Sequence, residues 1–172
     1  MVVNVVEYDA TWPGAFTAAA RELKASAGTP FAIHHIGSTS IPHMWAKPVI
    51  DMLAVVQDLA VLDGLSARIE QLGYEAMGEF GIAGRRYFRR NNPAGRRTHQ
   101  LHAFADGSPH VARHLAFRDY LRAHDDVAAA YAMLKRRLAR AHPDDIVAYM
   151  DGKDAFIKGI EARALAWGTR VR

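Results

Sequence analysis

The segment His35-Ile36-Gly37-Ser38-Thr39-Ser40-Ile41-Pro42 joins one apolar run to a second, Pro48 to Val56, that contains a single acid, Asp51. Glycine lets a backbone approach a ligand closely. Ser38, Thr39 and Ser40 add hydroxyls and amide N–H groups that can open a helical turn, a favourable seat for phosphate. A polar turn capped by serine has the same composition. Asp51 separates the two readings, because a carboxylate inside an apolar strand must be paired, hydrogen-bonded or bound to a cation. The 13-residue step from Ser38 to Asp51 sets a phosphate cradle beside an oxygen able to hold a metal.

A second set of chemistry-bearing residues is Thr98-His99-Gln100-Leu101-His102. Side chains alternate along a strand, so His99 and His102 face opposite ways while Gln100 and His102 share a side. The two histidines therefore cannot hold one metal without a bulge, and His102 has the alternative of hydrogen-bonding within the sheet, Asp51 included. Glu79, in Gly78-Glu79-Phe80, is either an acid that completes a metal site or an exposed strand residue. The segment 85–97, RRYFRRNNPAGRR, holds six arginines and no acid. On a strand Arg86, Phe88 and Arg90 face one way and Arg85, Tyr87 and Arg89 the other, so half the cluster at most can line one cleft. Arginine grips phosphate bidentately, and the competing role is a solvated edge strand kept from aggregating by its charge. His110 and His114 share a helical face but lack the adjacent glutamate of a zinc protease motif. Lys153 is either a phosphate contact or a surface residue on a helix packed through Phe156, Ile157 and Ile160.

The elements that must position these residues follow from spacing. Residues 15–27, opened by Pro13 and closed by Gly28, read as an amphipathic helix, and 31–37 as a short strand ending at glycine. Residues 48–56 are apolar on both faces, the mark of a strand in the middle of a sheet covered on both sides. A helix over 58–72 stops at Gly73. Extended segments at 74–80, 85–90 and 98–105 are joined by the turn-forming GIAG and NNPAG. Ser108 caps a helix that begins at Pro109 and runs to about 124, and helices near 126–141 and 144–167 follow. In fold class this is α+β with an α/β-type core: a sheet in residues 1–107, with the helices of 108–172 packed on it as one domain.

Composition bounds the function. The chain of 172 residues has no cysteine, which excludes disulfide and zinc-thiolate scaffolds and fits a reducing cytoplasm. Glu7 and Asp9 stand where a signal peptide needs a basic start, and no stretch approaches a membrane span, so the expected location is cytoplasmic with no membrane partner. The net charge is +4, yet taking the six arginines of 85–97 from the 22 Lys and Arg leaves 16 against 18 Asp and Glu. A single basic patch on a mildly acidic body suits a local phosphate grip better than a surface for long polyanions, so nucleic acid is not the expected partner. The oligomeric state stays open.

HIGSTSIP, AKPVIDM, GEFGIAGRRYFRR, THQLHAF, HLAFRDYLR and the late GKDAFI, in this order from about Tyr8 to Ile157, resemble the GrpB family, placed in the nucleotidyltransferase superfamily. Some of its members are fused to dephospho-coenzyme A kinase. The resemblance implies a nucleotidyltransferase-like mixed sheet with flanking helices and a helical C-terminal third. It also implies metal-assisted transfer of a nucleoside monophosphate from a triphosphate. Gly37 and Ser38, with Thr39 and Ser40, would hold phosphates, Arg86 and Lys153 would meet substrate charge, and Asp51 would ligate a divalent metal, Mg²⁺ or Mn²⁺, with His102 and Glu79 beside it. A His-plus-Asp site would favour Mn²⁺ or Zn²⁺ over Mg²⁺. Lys47, His99, Gln100, His114 and Arg118 complete the candidates. The chain departs from the pattern twice: Leu53 stands where a second acid belongs, and His43 where glycine often follows the proline. The expected function is a metal-dependent nucleotidyltransferase or phosphate-handling enzyme; the alternative is a catalytically degenerate protein that binds a nucleotide or other phosphate ligand.

Overall fold

A computed structural model describes residues 3–28 and 31–168. Residues 1 and 2, where the segment examined for a signal peptide begins, lie outside them. Among the described residues no helix is long and apolar enough to cross a membrane.

Helix α1 (Trp12–Ala27) begins with Pro13 in its first turn and ends at Gly28, whose φ of 68° supplies the left-handed cap. Strand β1 (Ala32–Ile36) leads through Gly37 into one 3₁₀ turn, Ser38–Ser40, and then to β2 (Ile50–Val56). Helix α2 (Leu59–Gln71) is capped by Asp58, whose carboxylate accepts from the Ala60 amide. Strands β3 (Tyr74–Ala76), β4 (Arg86–Asn91) and β5 (Arg97–Ala105) follow. Helices α3 (Pro109–Ala123), α4 (Asp125–Ala141) and α5 (Ile146–Gly168) form the C-terminal third. Ser108 caps α3 through the His110 amide, as its place before Pro109 predicts.

The sheet order is β1-β2-β5-β4-β3, with β2 and β5 parallel and the other pairs antiparallel. Alternation along β2 divides the molecule. Ile50, Met52, Ala54 and Val56 enter a core with Trp12, Leu23, Leu62 and Ile69 of α1 and α2. Leu53 turns to the other face and packs with Ile36 and Phe104 under Val111 and Leu115 of α3. A further core, with Ile41, Met44, Tyr120, Leu121, Tyr131 and Ile160, ties the three C-terminal helices to the loop after the 3₁₀ turn. Asp51 shares the Leu53 face. Arg122 of α3 fastens the turn to the helices, donating to the Ser40 carbonyl from Nε at 2.9 Å and Nη2 at 2.7 Å.

Two local expectations change. The extended segment expected over 74–80 forms a strand only at Tyr74–Ala76; Gly78, Phe80 and Gly81 then take φ of 60°, 44° and 83°, which turns the chain and removes Glu79 from the strand. Strand β4 is interior rather than an edge, because the short β3 lies outside it. His43 adopts φ 60°. The turn thus keeps the left-handed geometry that glycine favours, with histidine bearing the steric cost and its ring near Tyr8.

Candidate functional site

The two departures of the backbone from regular structure at Gly37 and Ser38 create the site. Gly37 has φ 69° and ψ −172°, a region in which a side chain is strained, and it brings the chain against Asp51. A Cβ at Gly37 would lie 2.5 Å from the Asp51 Oδ2. The Ser40 hydroxyl donates to the Gly37 carbonyl at 2.6 Å, and Thr39 turns inward, its Oγ1 donating to the Val49 carbonyl at 3.1 Å. Because that hydroxyl proton is committed, Thr39 Oγ1 accepts from His35 Nε2 at 3.0 Å, which fixes the neutral Nε2–H tautomer of His35. Ser38 alone presents its hydroxyl to the space in front of the turn.

That space is a cleft of about 210 Å³ lined by Ser38, Thr39, Lys47, Asp51, Gln100 and Lys135, with Val49, Tyr149, Met150 and Lys153 closing it. Asp51 comes from β2 and Gln100 from the position directly beside it on β5. Lys47 comes from the loop before β2, Lys135 from α4 and Lys153 from α5. Lys135 Nζ is 2.8 Å from Ser38 Oγ and 4.4 Å from the centre of the Tyr131 ring. Lys153 Nζ lies 4.8 Å from the Tyr149 ring centre. Among the described residues none of the three lysines forms an ion pair with a carboxylate. Burial therefore dominates their protonation: Lys135 is pushed down to about 7 and Lys153 to about 8, and Lys47 is lowered as well. Asp51, deep in the protein but open to the cleft, is raised to about 6 by burial despite the opposing pull of Lys47 and Lys153.

The structure brings Gly37, Ser38, Thr39, Lys47, Asp51, Gln100 and Lys153 together and disperses the other candidates. Ser40 is spent on the Gly37 carbonyl and on Arg122. Glu79 is exposed in the turn, where its carboxylate caps the Gly84 amide at 2.7 Å. Arg86 faces α2 and forms a two-pronged ion pair with Asp63 at 2.5 and 2.8 Å. Arg89 is paired with Glu75 and Arg90 with Glu22, so three of the six arginines of the segment are held by acids of other elements, while Arg85 and Arg97 bond carbonyl, amide, imidazole and phenol groups. His99 lies on the α1–α2 side against Arg90 and Tyr74. His102 shares the face of Asp51 but stands opposite Leu53 and meets Arg85, Tyr87 and His114 instead of the cleft. Arg118 donates to the His35 carbonyl at 3.2 Å and holds α3 on the sheet.

Lys135 was not singled out by the sequence, nor were Tyr131 and Tyr149. A signal was present: Ala128, Tyr131, Ala132 and Lys135 fall on one stripe of α4, and Tyr149, Lys153, Ile160 and Ala164 on one stripe of α5. A lysine on an otherwise apolar stripe has to find a polar recess or an anion.

The dispersed histidines govern acid stability. Burial, the largest cause for each, holds His35, His99 and His102 at about 4 and His114 at about 3. Folding favours their neutral forms, so their stabilisation is complete above the ordinary histidine value near 6.5 and is lost as pH falls below it. Each of His102 and His114 is expected to cost about 1–2 kcal/mol by pH 5. Urea denaturation at pH 7.5 and pH 5 checks this, and His114→Leu should flatten the dependence.

The chain matches the family model described as "GrpB protein" over residues 2–163. It belongs to the GrpB family. Its fold superposes on the crystal structure of conserved protein GrpB from Enterococcus faecalis with a TM-score of 0.89 and 46% identity, covering 95% of this chain and 98% of that one. The UPF0157 protein YqkA of Bacillus subtilis is 46% identical over 96% of this chain and 48% of its own length, so the chain spans about half of that relative. A dephospho-CoA kinase of Mycobacterium leprae is 28% identical over 95% of the chain and 47% of its own length. More distantly, the Cid1 poly(U) polymerase, solved with MgGTP bound, shares the fold at a TM-score of 0.54 and 11% identity, over 79% of this chain and 44% of that one. Among its described residues the GrpB chain is therefore an α+β protein with a mixed five-stranded sheet, similar in fold to that polymerase.

Proposed function

We propose that the cleft binds the phosphate end of a small phosphate-bearing molecule, a nucleotide among the candidates, and does so with lysine charge rather than with a pair of divalent metals. The observation that carries this is the convergence of Lys47, Lys135 and Lys153 on the Gly37-Ser38 turn, against Asp51 as the one carboxylate lining the cleft. Lysines buried without a carboxylate partner are held in an unfavourable state that a bound anion relieves. The volume suits a phosphate group and its neighbouring atoms better than a whole nucleotide, leaving the rest of the ligand outside.

The donor set does not fit the metal-dependent nucleotidyl transfer that the family resemblance implies. Magnesium sites draw on one or two carboxylates and ordered oxygen ligands. Leu53, where a second acid would stand, is fully buried in the apolar cluster under α3; Gln100 occupies the neighbouring strand position, and His102 and Glu79 lie elsewhere. Two ammonium groups near Asp51 already supply the positive charge a metal would bring.

Isothermal titration with pyrophosphate and with nucleoside mono-, di- and triphosphates tests the reading, each in excess EDTA and again with Mg²⁺. The expected result is binding that survives EDTA and is accompanied by proton uptake between pH 7 and 9, because the anion raises the pKa values of Lys47 and Lys153. Binding of a nucleotide only with Mg²⁺, abolished by Asp51→Ala, would restore the metal-dependent transferase. No binding of any phosphate compound would sink the proposal.

A further inference from the structure

We infer that Ser38 is a nucleophile and Lys135 its general base, so that the cleft cleaves a phosphate ester or anhydride through a phosphoryl-serine intermediate. This rests on the phosphate reading of the same cleft but adds a reaction and a covalent step to it.

Three observations place the pair. Ser38 Oγ and Lys135 Nζ are 2.8 Å apart, within reach for proton transfer. Ser38 follows a glycine in a conformation that only glycine adopts without strain and faces the cleft, whereas its neighbours Thr39 and Ser40 spend their hydroxyl protons on backbone carbonyls. Lys135 is only 2% exposed, and its one hydrogen-bond partner among the described residues is Ser38. An ammonium group has three protons to place, and a single hydroxyl with the face of Tyr131 does not satisfy them; a neutral amine needs far less. The amine can then accept the Ser38 proton, with the face of the Tyr131 ring 4.4 Å from its nitrogen. The groups around Lys135 agree: Lys153 repels a second positive charge, Asp51 and Lys47 lie farther along the cleft, and Tyr131 and Tyr149 have raised pKa values and remain neutral.

The step balances. Ser38 Oγ forms a bond to phosphorus as its proton passes to Lys135 Nζ. The bond from phosphorus to the leaving oxygen breaks, and that oxygen keeps the electron pair and takes a proton from the Lys153 ammonium. Water then attacks the phosphoryl-serine and gives its proton to Asp51. Lys135 returns its proton to the departing Ser38 Oγ, and Asp51 passes the water proton back to Lys153. The net change is hydrolysis, with no oxidant, reductant or metal required.

Diisopropyl fluorophosphate, which phosphorylates activated serines, tests the nucleophile without a known substrate and without any requirement for phosphate binding. Intact mass and peptide mapping should show one diisopropylphosphoryl group on Ser38. The label should be absent in Ser38→Ala and reduced at least tenfold in rate in Lys135→Met. Its rate should rise as pH is raised through 7 in the wild type and be flat in Lys135→Met. Circular dichroism verifies that both variants are folded, and the wild-type pH profile stands even if one of them is not. No adduct at Ser38 at any pH, or labelling undiminished by Lys135→Met, would overturn the inference while leaving the phosphate-binding result from titration untouched.

Discussion

Lys153→Met is expected to weaken binding of pyrophosphate or nucleotide roughly 100-fold while making the protein more stable. The two effects have one cause. In the free protein the Lys153 ammonium sits in the cleft without a carboxylate partner, and burial holds its pKa at about 8. A lysine whose folded value lies below its ordinary one subtracts stability at every pH under about 8 and ceases to do so as pH rises toward the ordinary lysine value. Methionine keeps the length and the contact with Tyr149 but carries no charge, so the cost at pH 7, on the order of 1–3 kcal/mol, disappears. The same substitution removes a charge-assisted contact with the anion worth about 3 kcal/mol in a buried setting. Lys47→Met should move both quantities in the same directions. Thermal melts and titration calorimetry on one preparation read both; a lysine that served only packing would lower stability and leave affinity unchanged, and that outcome would remove it from the site.

How much of this was legible in the chain depends on which physical constraint each residue answers to. Strand β2 declared itself because it is apolar on both faces except at Asp51, and the five helices because their apolar residues recur at helical spacing. The facing of the arginines on β4 was also readable, since alternation fixes it. What alternation does not fix is what each face meets. Arg86 and Arg90 meet acids of α2 and α1, 23 and 68 residues away, and that pairing turned an apparent phosphate grip into a set of surface ion pairs. Lys135 is the converse case: it lies 97 residues from Ser38, so no local pattern joins them. His102 was placed on the correct face, yet the β2–β5 register sets Gln100 rather than His102 beside Asp51. The positive charge lining the cleft therefore comes from lysines scattered over a loop and two helices, while half of the arginine run that dominates the sequence's charge balance is paired with acids.

Gly37→Ala should be the most damaging single change at the turn. Alanine would be forced into φ 69°, ψ −172°, a strain of about 1–3 kcal/mol, and its Cβ would meet Asp51 at 2.5 Å from Oδ2 and 3.0 Å from Cβ. Asp51 belongs to β2, paired on both sides by β1 and β5, so it cannot retreat with its backbone; its carboxylate has to swing into the cleft or the turn has to lift away. Overpacking of this kind adds a further ~1–3 kcal/mol. Together these predict a fall in melting temperature on the order of 10 °C for a chain of this length, with loss of phosphate binding in whatever fraction remains folded. A double-mutant cycle with Asp51→Ala separates the two parts. That second change removes the carboxylate whose folded value is raised to about 6, so above pH 6 it should stabilise the protein by itself. It should also recover the steric part of the Gly37→Ala loss and none of the dihedral part. Full additivity of the two substitutions would mean that turn and carboxylate do not touch, and a Gly37→Ala protein melting with the wild type would mean that the turn is not built on the glycine.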